Sequence, residues 1–275
     1  MKAIAPSTFL FGQSIPASCR GLSLKLLVDG LKHINSVTIR DQESYRLLTG
    51  LGVDCTLSYD TAFVLKCSDE ALHCASNILN SMDARYSAVI SLREFNALYP
   101  VDNQQFVENI ASLSHQLWTR KYQPVLLIQS SVSEMDSDWV IAKAIQERCP
   151  EVKVLDLVNY VSAFPSWELL QAILQVSRII VAVRYHTAVL ALAADRTPYN
   201  LYYSNKGADL SNRLDIPGGH IKHFCPSEEV DLIVQSGLVP FDAQSVRNRV
   251  QNDFKRALDN VGFQQSLLSQ HYETA

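Results

Sequence analysis

Strand-length apolar runs alternate along this chain with segments of helical periodicity, and that alternation is the pattern of βαβ units around a mainly parallel sheet. Strands are expected at Thr8 to Gly12, Val37 to Ile39 and Cys55 to Leu57, with helices at Leu22 to Leu31 and Gln42 to Thr49, the second closed by Gly50 or Gly52. After a polar stretch from Lys66 to Arg85 the pattern restarts. Ala88 to Leu92, Val125 to Gln129, Val152 to Leu157, Ile179 to Val183 and Tyr199 to Tyr203 read as strands. Between and after them, Asn103 to Arg120, Asp138 to Arg148, Ser166 to Val176, His186 to Ala194 and Ser245 to Leu267 read as helices. Ser166 is the expected N-cap of its helix, with Glu168 suited to the positive end. The polar stretch is taken as a boundary between a partial N-terminal Rossmann-like domain, 1–80, and a C-terminal one, 81–275, ending in a long helix.

With 47% hydrophobic and 19% charged residues, the chain of 275 has the balance of a protein with a sizeable core. A formal net charge of -4 gives no overall basic field for nucleic acid. The opening residues, broken by Pro6, Gln13 and Pro16, do not read as a signal peptide, and no apolar run approaches the roughly 18 residues of a membrane span. A cytoplasmic protein, at most peripheral to the inner face of the membrane, is expected. Cys19, Cys55, Cys67, Cys74, Cys149 and Cys225 are scattered without a Cys-x-x-Cys pair, which fits reduced thiols. His220, His223 and Cys225 come nearest to a metal cluster, but without a fourth ligand they read as surface or packing residues.

In open α/β sheets ligands bind beyond the carboxyl ends of the strands, so polar residues immediately after buried strands carry the chemistry. Arg40-Asp41, Arg93-Glu94 and Arg184-Tyr185-His186 occupy such places. Arginine offers a planar fork of donors matched to phosphate or carboxylate, and the following helix start adds free N–H groups, so an anionic small ligand is implied. The alternative is that each arginine pairs with a neighbouring acid. His186 is a candidate general acid or base, or else a helix-start histidine bonded to backbone. Lys206, in Tyr203-Ser204-Asn205-Lys206, lies on the next loop of the same sheet. The chain lacks a phosphate loop, a dinucleotide fingerprint, a G-x-S-x-G elbow and an H-E-x-x-H helix, which removes support from ATPase, NAD-linked, serine hydrolase and zinc protease readings.

The segments VTIRDQESYRLLTGLG, YDTAFVL and VAVRYHTAVLALAADRTPYNLYYSNK resemble, in order and spacing, the polysaccharide pyruvyl transferases. The most specific part is the strand-R-x-H-helix-Pro-strand-Y-x-x-K stretch from Ile179 to Lys206. The resemblance implies a GT-B-like fold of two Rossmann-like parallel-sheet domains, the N-terminal one shortened relative to the family. It also implies transfer of the pyruvyl group of phosphoenolpyruvate to a saccharide, often lipid-linked, as a cyclic ketal. Arg40, His186 and Lys206 match the residues on which family activity depends, and Arg184 matches the arginine of R-x-H.

On that implied chemistry Arg40, Arg184 and Lys206, with Tyr203 beside them, bind and orient the donor, and His186 protonates its methylene carbon. Asp60 takes a hydroxyl proton or binds the sugar, or it caps the following turn. No metal, nucleotide or other cofactor is needed. The alternatives are a nucleotide-sugar glycosyltransferase of the same fold and a truncated, non-catalytic binding paralogue.

Overall fold

The computed structural model describes residues 8–16, 18–95, 99–132, 136–160 and 163–261, which form two compact units. The first runs to Val64 and takes in the chain again from Gln244; the second is Leu65–Ala243.

In the first unit, β1 (Phe9–Gln13), α1 (Gly21–Leu31), β2 (Ser36–Ile39), α2 (Gln42–Gly50) and β3 (Thr56–Leu57) are followed by a 3₁₀ turn, Thr61–Val64. The strands form a parallel sheet in the order β1-β2-β3. Val28, Leu31, Val37, Ile39, Leu48 and Val53 make its core. Asp41 accepts from the N–H of Ser44 at 2.8 Å and so caps α2, while Gly52, at φ 75°, takes the left-handed turn that ends it. The chain's last described helix runs Ala243–Asn260. Its Phe254 meets Phe9 and Phe11 edge-on, at centroid distances of 5.8 and 5.2 Å, and its buried Arg247 donates to the Phe63 carbonyl at 3.3 Å. The part of the expected helix beyond 261 lies outside the described residues.

The second unit opens with α3 (Asp69–Ser81), β4 (Ser87–Ser91), α4 (Asn103–Thr119) and β5 (Gln123–Ile128). A small antiparallel pair, β6 (Ser131–Val132) and β7 (Asp136–Ser137), precedes α5 (Asp138–Gln146) and β8 (Lys153–Asp156). Then come α6 (Ser166–Val176), β9 (Ile179–Ala182), α7 (Tyr185–Ala193), β10 (Tyr199–Tyr202), α8 (Asn205–Leu214), β11 (Gly218–His220) and α9 (Pro226–Ser236). The main sheet is parallel throughout, in the order β11-β10-β9-β4-β5-β8. Every residue of β4, β5 and β9 is buried, as expected of strands covered on both faces. On one side α4 packs against α5 and α9; on the other α6 packs against α3 and α7. Chain order reverses between β4 and β9, so their carboxyl ends flank the switch point at which a doubly wound sheet leaves a crevice.

These units differ from the expected division at 80/81 in two respects. The polar stretch contains α3, capped by Ser68 and burying Ala71, Ala75, Ile78 and Leu79. Leu65, Cys67 and Ser68 are tied to α6: Gln171 Nε2 donates to the Leu65 carbonyl at 3.0 Å, Cys67 Sγ to Gln175 at 3.3 Å, and Ser68 Oγ to Glu168 Oε1 at 2.6 Å. The other difference is the return of the last helix to the first unit. Ser166 is also not the cap expected of it. Pro165 holds the N-cap position of α6, and the Glu168 carboxylate is taken by the hydroxyl and N–H of Ser68, which hold its pKa below the usual glutamate range.

Candidate functional site

In the first unit Arg40 follows β2 directly, at the carboxyl edge of the sheet. Its Nε donates to Ser14 Oγ, just past β1, at 2.8 Å, and its Nη1 pairs with the Asp60 carboxylate beyond β3. One side chain thus links the ends of all three strands. Asp60 is nearly inaccessible, and its other oxygen accepts from the Ala62 N–H at 2.9 Å, capping the 3₁₀ turn. The Arg-Asp-x-x-Ser element builds this loop: Asp41 caps α2, and Ser44 Oγ accepts from the Ile15 N–H at 2.8 Å.

In the second unit Arg184 follows β9 and stands at the N-cap of α7. Its side chain turns along the sheet edge, Nε donating to the Leu92 carbonyl at 2.9 Å and Nη2 to Asp138 Oδ1 at 2.6 Å. The N–H groups of Val183 and Arg184 are held by Ser91 Oγ at 2.8 and 3.1 Å. Asp138 is fully buried, and its second oxygen accepts from the N–H groups of Gln129 and Ser130 at 2.8 and 2.9 Å. Burial raises its pKa, against the pull of the Arg184 charge and of these N–H donors.

His186, in the first turn of α7, is exposed and lines a cleft of about 420 Å³ with Gln129 and Trp167. Lys206, at the start of α8, places its ammonium 5.4 Å from the centre of the Tyr185 ring. Tyr203, just past β10, accepts from Arg93 Nη1 at 2.5 Å; burial raises its phenol pKa, and the Arg93 charge opposes the rise. Arg184, His186, Lys206 and Tyr203 therefore share the carboxyl edge of one sheet, whereas Arg40 and Asp60 pair at the edge of the other.

Arg93 emerges at the same edge, after β4. Its guanidinium lies 4.7 and 4.9 Å from the ring centres of Tyr99 and Tyr203, and its Nε is buried with no hydrogen-bond partner. Among the described residues no carboxylate pairs with it. The sequence singles it out only as one strand-end arginine among three; what sets it apart, a charge held against two aromatic rings, comes from residues six and 110 positions away.

His220 Nδ1 accepts from the Lys222 N–H at 3.2 Å, its ring lies 5.8 Å from that of His223, and Cys225 Sγ contacts Ser227 Oγ at 3.4 Å. Burial, with the nearby His223 and Lys222 charges, lowers the His220 pKa. No group of three or more His, Cys, Asp or Glu side chains is arranged for a metal among the described residues, and no helix among them is long and apolar enough to cross a membrane. All six cysteines are free.

The parallel sheets and their order define a GT-B-like α/β protein, and solved structures of that fold superimpose on it. Anabaena HepE in complex with UDP and glucose matches with a TM-score of 0.53 at 10% identity, over 97% of this chain and 72% of that one. The UDP-forming α,α-trehalose-phosphate synthase of Burkholderia vietnamiensis matches at 0.52 and 10%, over 93% and 63%, and TarM at 0.52 and 9%, over 93% and 50%. The chain thus spans between half and about seven-tenths of these structures, and at such identities the likeness concerns the fold alone. No curated protein is significantly similar to it in sequence. The model of the polysaccharide pyruvyl transferase family matches residues 3–205, and the chain belongs to that family.

Proposed function

We propose that this protein moves the pyruvyl group of phosphoenolpyruvate onto two hydroxyls of a saccharide, closing a cyclic ketal during assembly of a cell-surface polysaccharide or glycan. The observation that carries the proposal is the group of cations at the switch-point edge of the second unit: Arg93 against its two tyrosines, Arg184 and Lys206, with an exposed imidazole beside them. Phosphoenolpyruvate bears a carboxylate and a phosphate, and preorganised cations in a partly dry site bind both. Arg93 and Lys206 meet the anion. Arg184, with two of its nitrogens given to Leu92 and Asp138, mainly fixes the strand end and contributes to the positive potential.

His186 donates a proton to the methylene carbon, which makes the adjacent carbon electrophilic. One sugar hydroxyl bonds to that carbon and returns a proton to His186. The second bonds to the same carbon as the carbon–oxygen bond to phosphate breaks, and its proton leaves with the phosphate. Arg40 and Asp60 form a second charged pair at a sheet edge, and the substrate this pair serves is read by comparing donor binding with acceptor dependence in Arg40→Ala.

The deciding experiment measures phosphate release from phosphoenolpyruvate with and without a panel of saccharides, together with binding of UDP. Saccharide-dependent release supports the proposal. Tight UDP binding, with no response to phosphoenolpyruvate, replaces it with nucleotide-sugar transfer.

A further inference from the structure

The cleft beside His186 has a character of its own. It opens at the carboxyl ends of β5 and β8, and its 420 Å³ falls within the roughly 300–1,000 Å³ in which proteins hold small ligands. Its apolar walls are the half-buried indole of Trp167, in the first turn of α6, with Leu170 and Leu190. Its polar atoms come from Gln129, Ser166 and His186; among the described residues no carboxylate, lysine or arginine lines it. A pocket so lined suits a neutral ligand with an apolar face and a hydrogen-bonding edge, in contrast to the cationic edge at Arg93 and Lys206.

Two of its parts are set in advance. Gln129 Oε1 accepts from the buried Thr187 hydroxyl at 2.9 Å, which fixes the amide and leaves Nε2 as the donor. The loop after β8, which forms one wall, is held by Asp156: its Oδ1 accepts from the N–H groups of Val158 and Asn159 at 2.9 and 3.1 Å, and its Oδ2 from Asn159 Nδ2 at 2.7 Å and Trp139 Nε1 at 3.2 Å. Fixed donors beside an aromatic face reduce the ordering cost of binding.

We infer that this cleft is a saccharide subsite, in which one pyranose ring lays its C–H face on Trp167 and turns its hydroxyls to Gln129, Ser166 and His186. The inference rests on the proposed transfer to a saccharide and deepens it by locating the ring beside the proton donor. A pyranose has both surfaces that the lining requires, and the hydroxyl edge comes within reach of the one titratable group in the cleft.

Saturation-transfer NMR on the full chain, with the methyl glycosides of glucose, galactose, mannose and N-acetylmannosamine and with uridine as competing probes, tests it. For at least one glycoside the ring C–H protons should receive saturation; affinity should fall about tenfold in Trp167→Ala and change little in Trp167→Phe, which keeps an aromatic face. Thermal melts of both variants, with and without phosphoenolpyruvate, show that they are folded and report the donor site separately. Glycoside binding that is equal in Trp167→Ala, binding of uridine alone, or no binding by any glycoside overturns the subsite, even where phosphoenolpyruvate still raises the melting temperature. Trp167-dependent glycoside binding without a phosphoenolpyruvate response keeps the subsite and removes the donor reading instead.

Discussion

Arg184 and Asp138, 46 residues apart in the chain, meet at 2.6 Å, and the carboxylate that receives the guanidinium also receives the N–H groups of Gln129 and Ser130. The pair binds the end of β9 to the connection between β5 and α5, across the crevice where chain order reverses. The motif arginine is thus first a brace of the site.

Removing one partner of so buried a pair strands the other. Asp138→Ala should lower the free energy of unfolding by about 3–5 kcal/mol, read by urea denaturation, and Asp138→Asn by less, because its amide oxygen still accepts. An unchanged midpoint in Asp138→Ala would show that the brace contributes nothing to stability.

The donor site has its own signature. Millimolar phosphoenolpyruvate should raise the melting temperature of the wild type by mass action; Arg93→Ala and Lys206→Ala should each remove most of that shift. Arg93→Lys should restore little of it, since an ammonium cannot lie against both the Tyr99 and Tyr203 rings while donating to the Tyr203 hydroxyl as a planar guanidinium does.

For His186, the expectation separates binding from chemistry. His186→Gln should keep the melting shift given by phosphoenolpyruvate while turnover falls by about 10²–10⁴-fold, the loss typical of a missing general acid. Equal loss of both would make it a binding residue.

Asp156 predicts an acid limb. Burial raises its pKa, but the Asn159 side chain and N–H, Trp139 and the Val158 N–H outweigh burial and hold it below the usual aspartate range. A depressed folded pKa means that the stabilisation is complete above the unfolded value near 3.9, and drains away as pH falls below it through the folded value. Urea midpoints from pH 7 down to pH 3 should drop more in the wild type than in Asp156→Asn.

Where backbones run close, a single methyl group is enough. A Cβ at Gly218 would lie 2.3 Å from the Asn200 carbonyl oxygen of the neighbouring strand, and one at Gly237 would lie 2.5 Å from the Arg178 carbonyl oxygen. Either alanine should cost about 1–3 kcal/mol, measured by denaturation, as the backbone shifts to admit it.

Most strands and helices were legible because their apolar periodicity is strong, and the strand-end positions of Arg40, Arg93 and Arg184 followed from it. Helices α3, α8 and α9 were not; the buried face of α3 is half alanine, a weak apolar signal in a stretch rich in Asp, Glu, Asn and Ser. Side-chain partners were the larger gap. That Arg40 spends its charge on Asp60, and Arg184 on Asp138, depends on which loops the tertiary fold brings together, and nothing local to either arginine encodes it. Gln129 follows β5, Trp167 opens α6 and His186 opens α7, three places far apart in the chain, so a cleft made of all three has no linear trace.

The return of the last helix to the first unit has a consequence for synthesis. Leu65–Ala243 is one uninterrupted stretch, so its sheet can close while the ribosome is still translating. The first unit must hold Phe9 and Phe11 without their partner until Phe254 has left the exit tunnel, roughly 240 residues later. During that interval an apolar strand is exposed in the nascent chain, and the unit that contains it is completed after the unit encoded between its two parts.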